Sequence, residues 1–246
     1  MRIFLLIITL LSWVLNLYCQ FPDGEEILKK VDANMYSESS MSTSRMIIQT
    51  RRGSKTMKIK SWVKGEEKSF SEYLSPPKDA GTKMLKLEDD LWIYDPDADR
   101  SVQISGHLLR QSVMGSDLSY EDLMEEAKLY ELYEAIVTGE EKKQQRSCWI
   151  LELKSRKSDE AYKSRKVWID KDRFLPLQEE RYGKSGKLLK KTVIEEVKKI
   201  GERWYPIQIY FKDMLKSGDG TYFIIDEIEF EIDIPAYRFT KAALRN

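Results

Sequence analysis

The chain has 246 residues, 41 of them basic and 41 acidic, so its formal net charge is zero, while 41% are hydrophobic and 33% charged. The balance excludes the basic excess expected of a nucleic-acid binder, and the apolar content is that of a chain with a core rather than a disordered one. Cysteine occurs only at Cys19 and Cys148, so a chain cut after Cys19 keeps one thiol and no internal disulfide.

Met1 and Arg2 precede an almost uninterrupted apolar run from Ile3 to Leu15, which exits through Asn16 and Gln20. The run is shorter than the roughly 20 residues a bilayer requires, and its basic, apolar and polar parts stand in the order of a secretory signal. Residues 1–20 therefore read as a cleavable signal peptide and 21–246 as the exported domain. An uncleaved anchor, or lipidation of Cys19, which the bulky Tyr18 disfavours, are the alternatives. No later stretch is apolar enough to enter a membrane.

Asp23 stands three residues before Glu26, a capping-box spacing, and Ile27, Leu28, Val31 and Met35 then share a helical face. One amphipathic helix is predicted there, ended by a serine-rich loop from Ser37 to Ser44. From Arg45 to Tyr73 the pattern predicts three strands, turning at Arg51–Ser54 and at Lys64–Glu66. Pro76 and Pro77 interrupt the chain, and short strands follow at Met84–Leu87, Leu91–Tyr94 and Ser101–Ile104.

The middle is different. Ser119 and Asp122 repeat the capping-box spacing, which predicts a short helix from Tyr120 towards Ala127. Strand patterns resume at Glu131–Thr138, Cys148–Lys154, Lys166–Asp170, Leu175–Tyr182 and Leu188–Val197. At the end, Tyr222, Ile224, Ile228, Phe230, Ile232 and Ile234 share one parity and Glu227, Glu229, Glu231 and Asp233 the other, which predicts one half-buried strand paired with Arg203–Phe211. The expectation is a mainly β single domain of roughly eleven strands in meander order. So large a sheet curls, and its apolar face then requires a cover, for which the two helical segments are available.

Chemistry is hard to find. The single histidine, His107, lies in a turn-like Ser105-Gly106-His107, and no Gly-x-Ser-x-Gly elbow accompanies it. Cys148 beside Trp149 suits burial better than nucleophilicity. Asp95, Asp97 and Asp99 begin like a calcium loop, but Arg100 replaces the required glycine and Gly106 the bidentate glutamate. One His and one Cys cannot close a zinc site. No catalytic residue, metal site or cofactor is predicted. What stands out is a stock of aromatic and methionine side chains on the predicted strands, which reads equally as plain core or as the wall of an apolar pocket.

The run Leu74-Ser75-Pro76-Pro77-Lys78-Asp79-Ala80-Gly81-Thr82-Lys83-Met84-Leu85, then Leu91-Trp92-Ile93-Tyr94-Asp95-Pro96, Arg100, and Met114 through Leu123 resemble the outer-membrane lipoprotein-sorting (LolA-like) family. Val167-Trp168-Ile169-Asp170, Leu175-Pro176-Leu177 and the Gly186–Leu189 hairpin extend the resemblance over nearly all of residues 21–246. It implies an unclosed antiparallel half-barrel plugged by helices, a periplasmic location, and a carrier of acyl chains from lipoproteins or lipids, with a membrane transporter or an acceptor lipoprotein as further partners. Relatives of this fold also include envelope-stress sensors that bind a regulatory protein, and that reading stays open, with a periplasmic hydrolase behind it. On this basis Trp62, Leu85, Leu87, Trp92, Tyr94, Met114, Leu118 and Tyr120 are expected to line the lipid site, with Gly115 as the hinge of a movable cover.

Overall fold

In the computed structural model, which describes residues 21–51, 53–124, 128–158 and 160–245, all the strands belong to one antiparallel sheet. The predicted signal peptide and Cys19 lie outside the described residues. The strands are β1 (Ser39–Thr50), β2 (Gly53–Lys64), β3 (Lys68–Ser75), β4 (Lys83–Leu87), β5 (Asp90–Asp95), β6 (Arg100–Ile104), β7 (Tyr133–Lys143), β8 (Arg146–Ser155), β9 (Ser164–Asp170), β10 (Pro176–Tyr182), β11 (Leu188–Ile200), β12 (Arg203–Asp213) and β13 (Thr221–Phe230). There are thirteen of them against the roughly eleven that the alternation suggests.

Their order across the sheet is β6-β5-β4-β3-β2-β1-β13-β12-β11-β10-β9-β8-β7. This is two meanders fused where the first strand meets the last, not one continuous meander. The topology has a direct consequence for the connection between β6 and β7. Those strands are the two free edges, so the connection between them must cross the sheet, and its described residues 105–124 and 128–132 serve as a cover. It contains α2 (Tyr120–Met124) and α3 (Leu129–Leu132), and α1 (Gly24–Met35) lies on the same face over β7 to β9. We call that face inner and the opposite one outer.

α1 begins where the spacing places it. Asp23 is the N-cap, its carboxylate accepting from the Glu25 amide at 2.9 Å. Ile27, Leu28 and Val31 bury against Tyr133, Leu151, Leu153, Val167 and Ile169. Gly24 allows this approach: a Cβ there would stand 2.6 Å from the Ala135 carbonyl oxygen. Gly24→Ala should therefore destabilise the protein by about 1–3 kcal/mol through overpacking, read as a lower urea midpoint at unchanged slope.

Two sequence expectations change. Residues 39–44 are strand rather than loop, because β1 is an interior strand paired with β2 and β13 and its small side chains fit between those neighbours, with the Ser39 hydroxyl donating to the Ile232 carbonyl at 2.6 Å and Ser44 fully buried. The single apolar parity from Tyr222 to Ile234 is also broken. The pairing of β1 with β13 slips between Thr43 and Ser44, leaving Asp226 as an extra residue, held by Arg45 through contacts of 2.7 to 3.0 Å. An inserted residue reverses which side chains face which side. Phe223 therefore turns to the inner face, where it joins the cover's cluster, and Tyr222 packs its ring against Tyr210 at 5.1 Å; beyond the bulge, Phe230 meets Tyr205.

Candidate functional site

The cover is tied to the inner face by two buried aspartates. Asp117 accepts from the Thr221 hydroxyl and the Asp213 amide, both at 2.9 Å, and lies 3.5 Å from the Lys212 ammonium. Its carbonyl takes a 2.6 Å bond from Lys190. Asp122 closes the predicted capping box with Ser119, accepting from its amide and hydroxyl at 2.7 Å. The same carboxylate reaches the sheet, accepting from the Tyr162 hydroxyl at 2.6 Å and from Arg181 at 3.2 Å, with Lys190 3.4 Å away. Burial works against its ionisation, yet Arg181 and Lys190 hold its pKa below the ordinary value. At the far end of α2, the Met124 carbonyl accepts from the buried Lys86 ammonium at 3.2 Å.

Behind Asp122 the charges continue inward. Glu179 bonds Arg165 at 2.6 Å and Arg181 at 3.0 Å, and Arg165, fully buried, donates to the Tyr133 hydroxyl at 2.9 Å. Burial alone would raise the Glu179 pKa, but Arg181 and Arg165 hold it down to about 2. Burial opposes the charge of Arg165 and lowers it to about 10, which still leaves it cationic at neutral pH. Arg181 is raised by Glu179 and Asp122 despite its burial.

Between this network and the cover is a cavity of about 270 Å³. Its apolar wall is Leu118 and Leu123 from the cover, Tyr205, Ile209 and Phe211 from β12, and Phe223 and Ile225 from β13, with Arg181, Lys190 and Lys212 among the charged groups at its margin. A second cavity of about 410 Å³ lies towards α1, lined by Val31, Met35, Val63 and Pro176, and it shares Arg181 and Tyr205 with the first. The two adjoin at Arg181 and Tyr205 on the inner face, and Asp32, Glu66, Lys128, Arg165 and Glu179 also line the second.

The structure divides the eight expected lining residues. Met114, Leu118 and Tyr120 pack on the inner face with Met46, Met57, Tyr73 and Met84, and Leu118 lines the smaller cavity. Trp62, Leu85, Leu87, Trp92 and Tyr94 lie on the outer face with Phe70. Period-two alternation explains the split: Leu85 pairs with Phe70 and Trp92, while the adjacent Met84 pairs with Ser71 and Ile93. The outer set is sealed by a segment no spacing announced, the C-terminal 3₁₀ turns Ala236–Phe239 and Lys241–Leu244, which insert Phe239, Ala243 and Leu244. Arg238 stacks 4.3 Å from the Trp62 ring centroid and Lys241 4.0 Å from that of Trp92. Gly115, the expected hinge, adopts φ +84° directly after Met114 at +52°, a pair of left-handed residues that turns the crossing segment sharply.

The groups considered for chemistry are also placed. His107 is exposed on the 3₁₀ turn Gly106–Arg110. Asp95 caps its own turn, accepting from the Asp97 and Ala98 amides at 3.0 and 3.3 Å. Cys148 is fully buried with Trp168 and Leu177, and burial raises its thiol pKa.

Residues 65–246 match a family model described as an uncharacterized protein, and no curated protein matches the chain. Among solved structures, an outer membrane lipoprotein-sorting protein domain from Vibrio parahaemolyticus is similar at 25% identity and TM-score 0.79, covering 91% of this chain and 98% of that one. A DUF1329 family protein from Desulfovibrio piger is 26% identical at TM-score 0.79, covering 90% and 97%. A LolA superfamily protein from Nitrosomonas europaea shares the fold, with TM-score 0.75 at 23% identity over 91% of this chain and 100% of that one.

Proposed function

We propose, from the chain's likeness to an outer membrane lipoprotein-sorting protein domain and a DUF1329 family protein, that it is a LolA-like exported periplasmic carrier that shelters acyl chains of lipoproteins or lipids and passes them between membranes without catalysis. The observation that supports this most is the apolar-walled cavity on the inner face, lined by Leu118, Tyr205, Ile209, Phe211, Phe223 and Ile225 beneath a cover that side-chain contacts hold down. Bringing a sixteen-carbon chain into water costs on the order of 12 kcal/mol at about 0.8 per methylene. A carrier must offset most of that while still releasing its cargo.

The cavity under the cover is small for one chain, so uptake requires the cover to move. A rotation about Met114 and Gly115 that lifts Leu118 and Leu123 also parts the backbone bonds from Val113 to Leu118 and from Tyr120 to Gln111. The buried Asp117 and Asp122 contacts then break, and the binding of an acyl chain must offset their loss. A membrane transporter as donor and a lipoprotein as acceptor are the partners that transport of this kind requires.

Native mass spectrometry of protein recovered gently from the envelope tests the reading, with uptake of a fluorescent fatty acid as the parallel measurement. A mass excess matching a lipid or an acylated protein is expected. Ile225→Trp, which fills the cavity from the sheet side, should weaken uptake at least tenfold. A bare mass together with no uptake by the parent protein would rule out the carrier.

A further inference from the structure

Three hairpin tips lie together at one end of the sheet. The β12–β13 tip is Asp213–Gly220, and its Met214 amide donates to the Leu189 carbonyl at 2.9 Å, which sets it beside the β10–β11 tip, residues 183–187. On its other side the Gly220 carbonyl accepts from the Gln49 amide at 3.0 Å, next to the β1–β2 turn. Lys216 reaches from the tip to the Ser112 hydroxyl and the Ser116 carbonyl, fastening it to the cover.

Met214 and Leu215 are exposed here, at 45% and 60%. Around them Arg51, Lys184 and Lys187 are exposed, whereas Asp219 is the exposed carboxylate of the three tips among the described residues. Four residues that line the smaller cavity, Lys190, Lys191, Phe211 and Lys212, belong to the strand ends that carry these tips. An apolar pair displayed in a basic rim is the pattern of a surface that meets a negatively charged lipid headgroup layer: the apolar side chains enter the acyl boundary and the basic ones remain among the phosphates. The charge sign selects that occupant over a neutral surface.

We propose that this end of the sheet, with Met214 and Leu215 at its tip, docks the protein on an anionic membrane surface and brings the smaller cavity towards the bilayer. The inference rests on the carrier reading for its purpose but not for its test. The contact of Lys216 with residues 112 and 116 also joins this tip to the cover.

The test is co-sedimentation of envelope-derived soluble protein with vesicles of phosphatidylcholine, alone or with 30% phosphatidylglycerol. Binding is expected only with the anionic lipid, and it should weaken as salt screens the charges. Each basic side chain at an anionic surface is worth about fivefold in affinity, so Lys184→Gln with Lys187→Gln should lose about 25-fold, and Met214→Asp with Leu215→Asp more than that. Both pairs are exposed, and unchanged circular dichroism checks the fold. Uptake of a water-dispersed fluorescent fatty acid should stay at the parent level in both variants. If the parent ignores anionic vesicles, or the variants bind as it does, or neutral vesicles bind equally well, docking is overturned. Fatty-acid uptake by the parent then still decides the carrier reading by itself.

Discussion

Glu179→Gln is expected to cost the protein about 3–5 kcal/mol of stability, the usual consequence of removing one member of a buried charged set. In the folded chain Glu179 is the anion between Arg165 and Arg181. A glutamine of the same shape leaves two guanidinium groups facing each other, one of them fully buried. Arg165 suffers most, because its side chain is the more deeply buried of the two, whereas Arg181 retains Asp122. Replacing Arg165 and Glu179 together by Met and Leu should recover most of the loss, since no uncompensated charge remains. A urea-denaturation cost below 1 kcal/mol for Glu179→Gln would show that the set is not electrostatically coupled.

The same group sets an acid limit. Glu179 has its pKa held at about 2 in the folded chain against 4.5 in the free side chain, so folding favours its ionised form. Its contribution is complete above 4.5 and is lost as pH falls through the interval down to about 2. Asp122, depressed by Arg181 and Lys190, adds a change of the same sign. The parent should therefore lose stability steeply below pH 4.5. Glu179→Gln should start lower and fall less over that interval.

Much of the architecture was legible because antiparallel strands with one buried side alternate, and the second capping box, Ser119 with Asp122, is formed as its spacing indicates. What the alternation could not carry was which face each strand turns towards. Trp62 and Trp92 are strand aromatics of the kind that line pockets, yet the cover that buries them is a C-terminal segment whose apolar residues, Ile234, Phe239, Ala243 and Leu244, follow no regular period. On β12 the wall residues Tyr205, Ile209 and Phe211 share one parity. Its continuation on β13 was hidden, because one bulged residue moves Phe223 and Ile225 into the parity that holds the glutamates further along. Nor does sequence reveal that the carboxylate capping α2 also binds Arg181, 59 positions away, since that distance is bridged only once β10 and the crossing segment share the inner face.

Leu118→Asp should abolish acyl-chain binding, by at least a hundredfold in fatty-acid affinity, while leaving the β signature in circular dichroism intact. Leu118 belongs to the cover and to the cavity wall at once, so its replacement presents a carboxylate where methylene groups would lie. Burying a charge against an acyl chain costs several kcal/mol, and 1.4 kcal/mol is already tenfold in affinity. The new carboxylate has a way out, because Lys190 and Arg181 stand at the margin of the cavity. Pairing with either would draw that cation away from Asp122 and loosen the cover, so hydrogen exchange across residues 113–124 should rise as affinity falls. Leu118→Ala, which removes apolar surface without adding charge, should cost tenfold or less and leave exchange near the parent rate. Equal losses in the two variants would mean that Leu118 merely fills space, and unchanged binding in both would move the acyl site away from the cover altogether.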